Sequence, residues 1–270
     1  MNGLIYHPLR ARLLRVVSVQ ALSPRLRRIT LGGPDLAGFV SPMPDDHVKL
    51  LFPHPGERLP VLPSFGAHGL RLPEGAARPV ARDYTPLAFD LERQTLTLDF
   101  LLHGDGPAAR WAAAAKPGDA LGVAGPRASR QVDRHAHSDW LLLGDETALP
   151  AIARWLAWIP PHAGVRVQVR VEVASPADRM TLPAHAGLDL AWVQRAAAGE
   201  PCALLAALRG LALPAPVARP DAKPYAWLAC ESAQMRGLRQ HLLNERGWPR
   251  EQLYAAGYWK RGTSDHDDEH

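Results

Sequence analysis

The pattern of apolar residues changes character near residue 135, and this change constrains the fold of the 270-residue chain more than any other feature. Before it lie short β-branched and apolar runs parted by turn signals, at 13–22, 26–31, 47–52, 95–102 and 120–124. The run from Thr95 alternates with period two at its start, as a half-buried strand does. Strands this short and closely spaced predict a small antiparallel barrel or sandwich. A helix is expected over 106–116, with Pro107 in its first turn, where a missing N–H matters little, and Pro117-Gly118 as its stop. The Pro/Gly-rich stretch between Phe52 and Arg82 has no period and reads as a long loop. After residue 138 strands (140–143, 165–173, 189–194, 225–230, 253–259) alternate with helices (145–159, 201–208, 232–246). That alternation predicts an α/β unit on a parallel sheet, with ligands at the carboxyl ends of its strands. The expected division is therefore 1–135, 136–262 and an acidic tail, 263–270, read as disordered.

Charge bears on the partners. The formal net charge is +4, but four acids fall in the last six residues, so the body carries +8. Only four of the 31 basic residues are lysines: Lys49, Lys116, Lys223 and Lys260. An arginine-rich body suits anionic ligands, because guanidinium binds phosphate and carboxylate in a planar fork. A GC-rich genome would produce the same bias. The basic residues are scattered, without the stripe that a nucleic-acid backbone needs, so no nucleic-acid partner is expected. With 47% hydrophobic and 21% charged residues the composition is globular. No uninterrupted apolar run reaches membrane-spanning length and no signal pattern opens the chain. Cys202 and Cys230 cannot supply an iron–sulfur cluster, a Cys-x-x-Cys zinc or redox site, or a disulfide framework. A reducing cytoplasm is the expected home. No protein metal site is expected. The histidines are spread out, and His266 and His270 belong to the acidic tail.

Four motifs carry chemistry. Arg82-Asp83-Tyr84-Thr85-Pro86, if extended, sends residues 82 and 84 to one side and 83 and 85 to the other. An arginine there can neutralise a flavin phosphate while the tyrosine covers the ring, and Thr85 can reach the flavin N5. The run from Asp99 through His103-Gly104-Asp-Gly106-Pro-Ala108 to Trp111 is a strand, a Gly-x-Gly turn and a helix start, which suits a pyrophosphate. Gly144-Asp145-Glu146-Thr147 follows a buried strand, where a dinucleotide would sit, with Asp145 or Thr147 as a possible helix cap. Cys230-Glu231-Ser232 ends another strand, and Arg236 and Arg239 follow on one helix face, suited to ribose or a 2′-phosphate. Each motif taken alone also fits a plain structural role.

Together with 46–52, Gly125-Pro126-Arg127 and Gly257-Tyr-Trp-Lys260, these motifs resemble the siderophore-interacting proteins, the flavin-dependent ferric-siderophore reductases of the ferredoxin-reductase-like superfamily, over nearly the whole chain. Cys230 stands where that family more often has Gly. The resemblance implies an antiparallel, six-stranded-type flavin-binding β-barrel, then a parallel-sheet NAD(P)H-binding domain. It implies Arg82, Asp83, Tyr84, Thr85, Asp99, His103, Gly104, Gly106, Ala108 and Trp111 at FAD, with Tyr84 and Thr85 nearest the chemistry. Asp145, Glu146, Thr147, Glu231, Ser232 and Arg236 would line the NADPH or NADH side. An anionic ferric siderophore would be drawn by Lys49, Lys260 and Arg127 or Arg130, with the protein acting as a monomer. A general NAD(P)H:flavin oxidoreductase and a non-catalytic ferric-siderophore binding module remain alternatives.

Overall fold

The computed structural model describes residues 3–66, 69–197, 199–213 and 224–263. The expected acidic tail lies outside the described residues except for Thr263. The chain divides into two units, one formed by Gly3–Gln131 and the other beginning at Val132.

The strands of the first unit, in chain order, are β1 (Leu4–Tyr6), β2 (Ala11–Ala21), β3 (Leu26–Gly32), β4 (Val48–Phe52), β5 (Ser64–Gly66), β6 (Gly69–Arg71), β7 (Val80–Tyr84), β8 (Ala88–Asp90), β9 (Thr95–Leu101), β10 (Ala120–Ala124) and β11 (Ala128–Arg130). Seven pair antiparallel in the order β7-β4-β10-β2-β3-β9-β8, a curled sheet that gives the expected barrel wall. Period-two alternation turns Leu96, Leu98 and Phe100 of β9 inward onto Ile29 and Leu31 of β3 and Leu121 and Val123 of β10, all fully buried. Each such side chain contributes roughly 1.5–3 kcal/mol of transfer free energy. Helix α1 (Pro107–Ala114) packs Ala112 and Trp111 on this core. The expected long loop holds a short ribbon, β5–β6, and the start of β7.

The second unit has one parallel sheet, β14-β13-β12-β15-β16: β12 (Asp139–Asp145), β13 (Arg166–Val173), β14 (Leu188–Gln194), β15 (Tyr225–Glu231) and β16 (Leu253–Trp259). All seven residues of β12 and of β15 are buried, as central parallel strands require. The helices are α2 (Leu149–Trp158), α3 (Ala203–Arg209) and α4 (Ser232–Gln240). The helix expected from residue 145 begins later, because β12 runs on to Asp145 and a 3-10 turn, Glu146–Ala148, intervenes. Pro150 then sits in the first turn of α2, where it is tolerated. The helix expected over 232–246 is α-helical to Gln240 and continues as a π turn, His241–Glu245.

Candidate functional sites

The barrel unit carries the Arg-x-Tyr-Thr motif on β7, antiparallel to β4, with Leu50 opposite Arg82, Val48 opposite Tyr84 and Lys49 opposite Asp83. Arg82 and Tyr84 therefore share the face of the fully buried Val48 and Leu50, whereas Asp83 and Lys49 share the other. The Tyr84 ring leans on Phe100, centroids 4.6 Å apart, and Phe100 lies 5.7 Å from Trp111. Burial pushes the Tyr84 phenol well above its ordinary value, against the opposing charge of Arg82, so it stays protonated at neutral pH. Thr85 is buried beside it. Asp83 does not join Arg82 and Tyr84: it binds Lys49 at 3.0 Å across the strands, on an exposed face.

Beyond β9, Gly104 has φ +57°, a left-handed value that favours glycine. Gly106, the N-cap residue of α1, has φ −63°, which any residue adopts, and a Cβ there would meet nothing within 4 Å. Neither backbone strain nor chain packing calls for glycine at 106. Gly106 provides no side-chain cap and Pro107 has no N–H, leaving the first-turn N–H groups of Ala108 and Ala109 without a capping side chain. Room for close approach and uncapped N–H groups together suit the pyrophosphate of a flavin dinucleotide. His103 is exposed in the preceding turn, and Trp111 packs against the core. Asp99 is committed elsewhere: Arg28 grips it in a bidentate pair at 2.7 and 2.8 Å across β3 and β9. Arg127 is exposed after the Gly125-Pro126 turn, whose carbonyl at Gly125 accepts from the buried Arg12 at 3.0 Å. Arg130 sits on β11 opposite Leu4.

In the second unit the expected acids gather at the carboxyl ends of the strands, but they serve the chain. Asp145 is fully buried and accepts four hydrogen bonds. Oδ1 takes Thr147 N–H at 2.9 Å and Thr147 O–H at 2.5 Å. Oδ2 takes Glu231 N–H at 3.2 Å and Trp259 Nε1–H at 2.7 Å. Burial outweighs these bonds and raises its carboxyl to about 6. Glu146 accepts from Ala174 N–H at 2.7 Å and pairs with Arg195, which also binds the buried Glu172 at 2.8 Å. Glu231 caps α4 through Ala233 N–H and Gln234 N–H, and its other oxygen accepts from Arg261 N–H at 3.2 Å. Ser232 O–H donates to the Trp259 carbonyl at 3.1 Å. Gly144 is packing rather than cradle, since a Cβ there would stand 2.5 Å from Ala148 Cβ and 2.9 Å from Ala229 O. Arg236 and Lys260 are exposed. Sequence reasoning missed Arg28, Glu172 and Arg195, and noted Trp259 only within the Gly257–Lys260 motif, without a role. Glu172 leaves no signal, since it stands in the alternating polar row of β13 with Arg166, Gln168 and Arg170, and only folding buries it.

Residues 15–130 match the siderophore-interacting FAD-binding domain and residues 137–262 match the siderophore-interacting protein family. The chain belongs to the siderophore-interacting proteins. This siderophore-interacting protein is 36% identical to the NADPH-dependent ferric-chelate reductase of Escherichia coli (strain K12), over 94% of this chain and 95% of that one. It is 31% identical to the ferric vibriobactin reductase ViuB of Vibrio cholerae, over 96% and 94%. Among solved structures, a siderophore utilization protein from T. fusca superposes with a TM-score of 0.86 at 38% identity, covering 99% of both chains. A ferredoxin reductase of carbazole 1,9a-dioxygenase, at 15% identity and a TM-score of 0.67, over 94% of this chain and 70% of that one, shares the fold.

Proposed function

We propose that this siderophore-interacting protein is a ferric-siderophore reductase, using NAD(P)H as electron donor and FAD as resident cofactor to reduce siderophore-held Fe(III) and release Fe(II). The observation that carries the reading is the opened helix start at Gly106 beside the Tyr84–Phe100–Trp111 aromatic group, in a chain similar over 94% of its length to a named ferric-chelate reductase. Bound FAD supplies the passage from a two-electron donor to one-electron reduction of iron. Arg82 and the Ala108 and Ala109 N–H groups hold its phosphates. Tyr84 covers its ring and Thr85 keeps a hydroxyl beside it. The barrel, 1–135, is the FAD domain and 136–262 the NAD(P)H domain, where the exposed Arg236 meets the nicotinamide co-substrate and Thr147 and Ser232 shape the strand ends through their bonds to Asp145 and the Trp259 carbonyl. No protein ligand to iron is required, because the siderophore coordinates it, and Fe(II) is held more weakly by hard oxygen donors. Lys260, Lys49 and Arg127 or Arg130 attract the anionic complex, Lys49 with its charge partly offset by Asp83. The protein works as a cytoplasmic monomer, which sedimentation and cell fractionation test.

The decisive experiment is Fe(II) capture by a ferrous chelator, with FAD-loaded protein, several ferric siderophores, and NADPH compared with NADH. Fe(II) release dependent on both FAD and nicotinamide is expected. Protein that binds no added FAD, or that reduces free flavin but frees no Fe(II), overturns the reading.

A further inference from the structure

Asp145 cannot serve the nicotinamide directly. Both its oxygens are already filled by donors from the chain, and its side chain is fully buried. Those donors come from three places: the turn after β12, the last residue of β15, and the last residue of β16. Oδ2 alone joins the ends of β15 and β16, through Glu231 N–H at 3.2 Å and the Trp259 indole at 2.7 Å. Two further bonds cross the same junction, Ser232 O–H to the Trp259 carbonyl and Arg261 N–H to Glu231 Oε1. The residue held between Trp259 and Arg261 is Lys260, whose side chain is exposed.

We propose that Asp145 is a positioning residue, a buried acceptor that fixes the Trp259–Arg261 segment and so presents Lys260 to the anionic ferric siderophore. This rests on the reductase reading above. A neutral carboxyl serves less well: its proton sits on Oδ1, where the Thr147 hydroxyl can turn to accept it, and Oδ2 is left as an uncharged, weaker acceptor for Glu231 N–H and the Trp259 indole. The acid titrates at about 6 because it is buried, with Glu146 adding repulsion. Glu146 on its own turn, Cys230 on β15 and Arg195 after β14 act on it electrostatically, Glu231 meets it through its backbone N–H, and Glu172 on β13 pairs with that arginine. Arg195 is shared between Glu146 and Glu172 and makes no ion pair with Asp145.

Two measurements test this. The first needs no turnover. In a ¹H–¹⁵N spectrum the Trp259 indole resonance, assigned through Trp259→Phe, should shift with pH about a midpoint near 6 and be pH-independent there in Asp145→Asn. The second is kinetic. Asp145→Asn and Trp259→Phe should each raise KM for an anionic ferric siderophore roughly three- to tenfold, the scale of one lost hydrogen bond, with kcat little changed. In a Lys260→Ala background the same substitutions should add nothing further to KM, since they act through that lysine. If Asp145→Asn fails to fold, Trp259→Phe, which deletes a single donor, carries the kinetic arm. Full additivity with Lys260→Ala, an unchanged KM, or an indole that ignores pH overturns the inference. Wild-type protein that frees no Fe(II) overturns the reductase reading instead.

Discussion

Tyr84 and Asp145 show how one side chain's surroundings decide its use. Tyr84 has one side against Phe100 and keeps its phenol proton. Tyr84→Ala should weaken FAD binding roughly tenfold, about 1.4 kcal/mol, whereas Tyr84→Phe should keep most of the affinity. Flavin-fluorescence titration checks this, with urea midpoints to confirm folding. Asp145 is the opposite case, an acid whose function works against stability. Its carboxyl lies at about 6 in the folded chain against 3.8 ordinarily. Between those values the folded state holds a proton that the unfolded state has released. Stability from this group is therefore greatest below about pH 4 and declines as pH rises to 6. Above 6 the full cost is present, about 3 kcal/mol as an order of magnitude. Urea unfolding at acid and neutral pH should show wild type losing ground by that amount relative to Asp145→Asn, which does not titrate. The ionised form that accepts all four bonds is thus the less stable one.

At the scale of elements, two glycines at strand–helix junctions have opposite meanings. Gly106 has an ordinary φ and open space, whereas Gly144 is pressed between Ala148 and Ala229. Gly106→Ala should leave thermal stability within a few tenths of a kcal/mol, as for a surface change, yet reduce FAD affinity. Gly144→Ala should destabilise by roughly 1–3 kcal/mol through overpacking. Melting curves and flavin titration on the two variants separate these effects. Much at this scale was legible in sequence. The run at 253–259 is β16 to the residue and the run at 120–124 is β10, because apolar runs bounded by turn residues mark their own ends. The short strands β1, β7, β8 and β11 were not, since they have at most five residues and few of those are buried, so their own periodicity says little.

For the molecule as a whole, charge is the property that reaches a partner at a distance. The body is basic and the ferric complex is expected to be anionic, so KM for the complex should rise with ionic strength as screening shortens the reach of Lys260 and Arg127. Fe(II)-capture kinetics across a salt series checks this, and a KM indifferent to salt would remove electrostatic attraction from the account.

The amino-acid sequence by itself determined the order of the units, the parallel sheet, and the places where strands end in glycine and polar residues. Those properties follow from local periodicity and turn chemistry, which neighbouring residues carry. Tertiary structure alone decided which donors the candidate acids meet. Asp99 went to Arg28, Asp83 to Lys49, Glu146 to Arg195, and Asp145 to Glu231 and Trp259. Each of these partners lies at least 34 residues away along the chain. A residue's own pattern tells which face it occupies, but not which distant donor folding brings there.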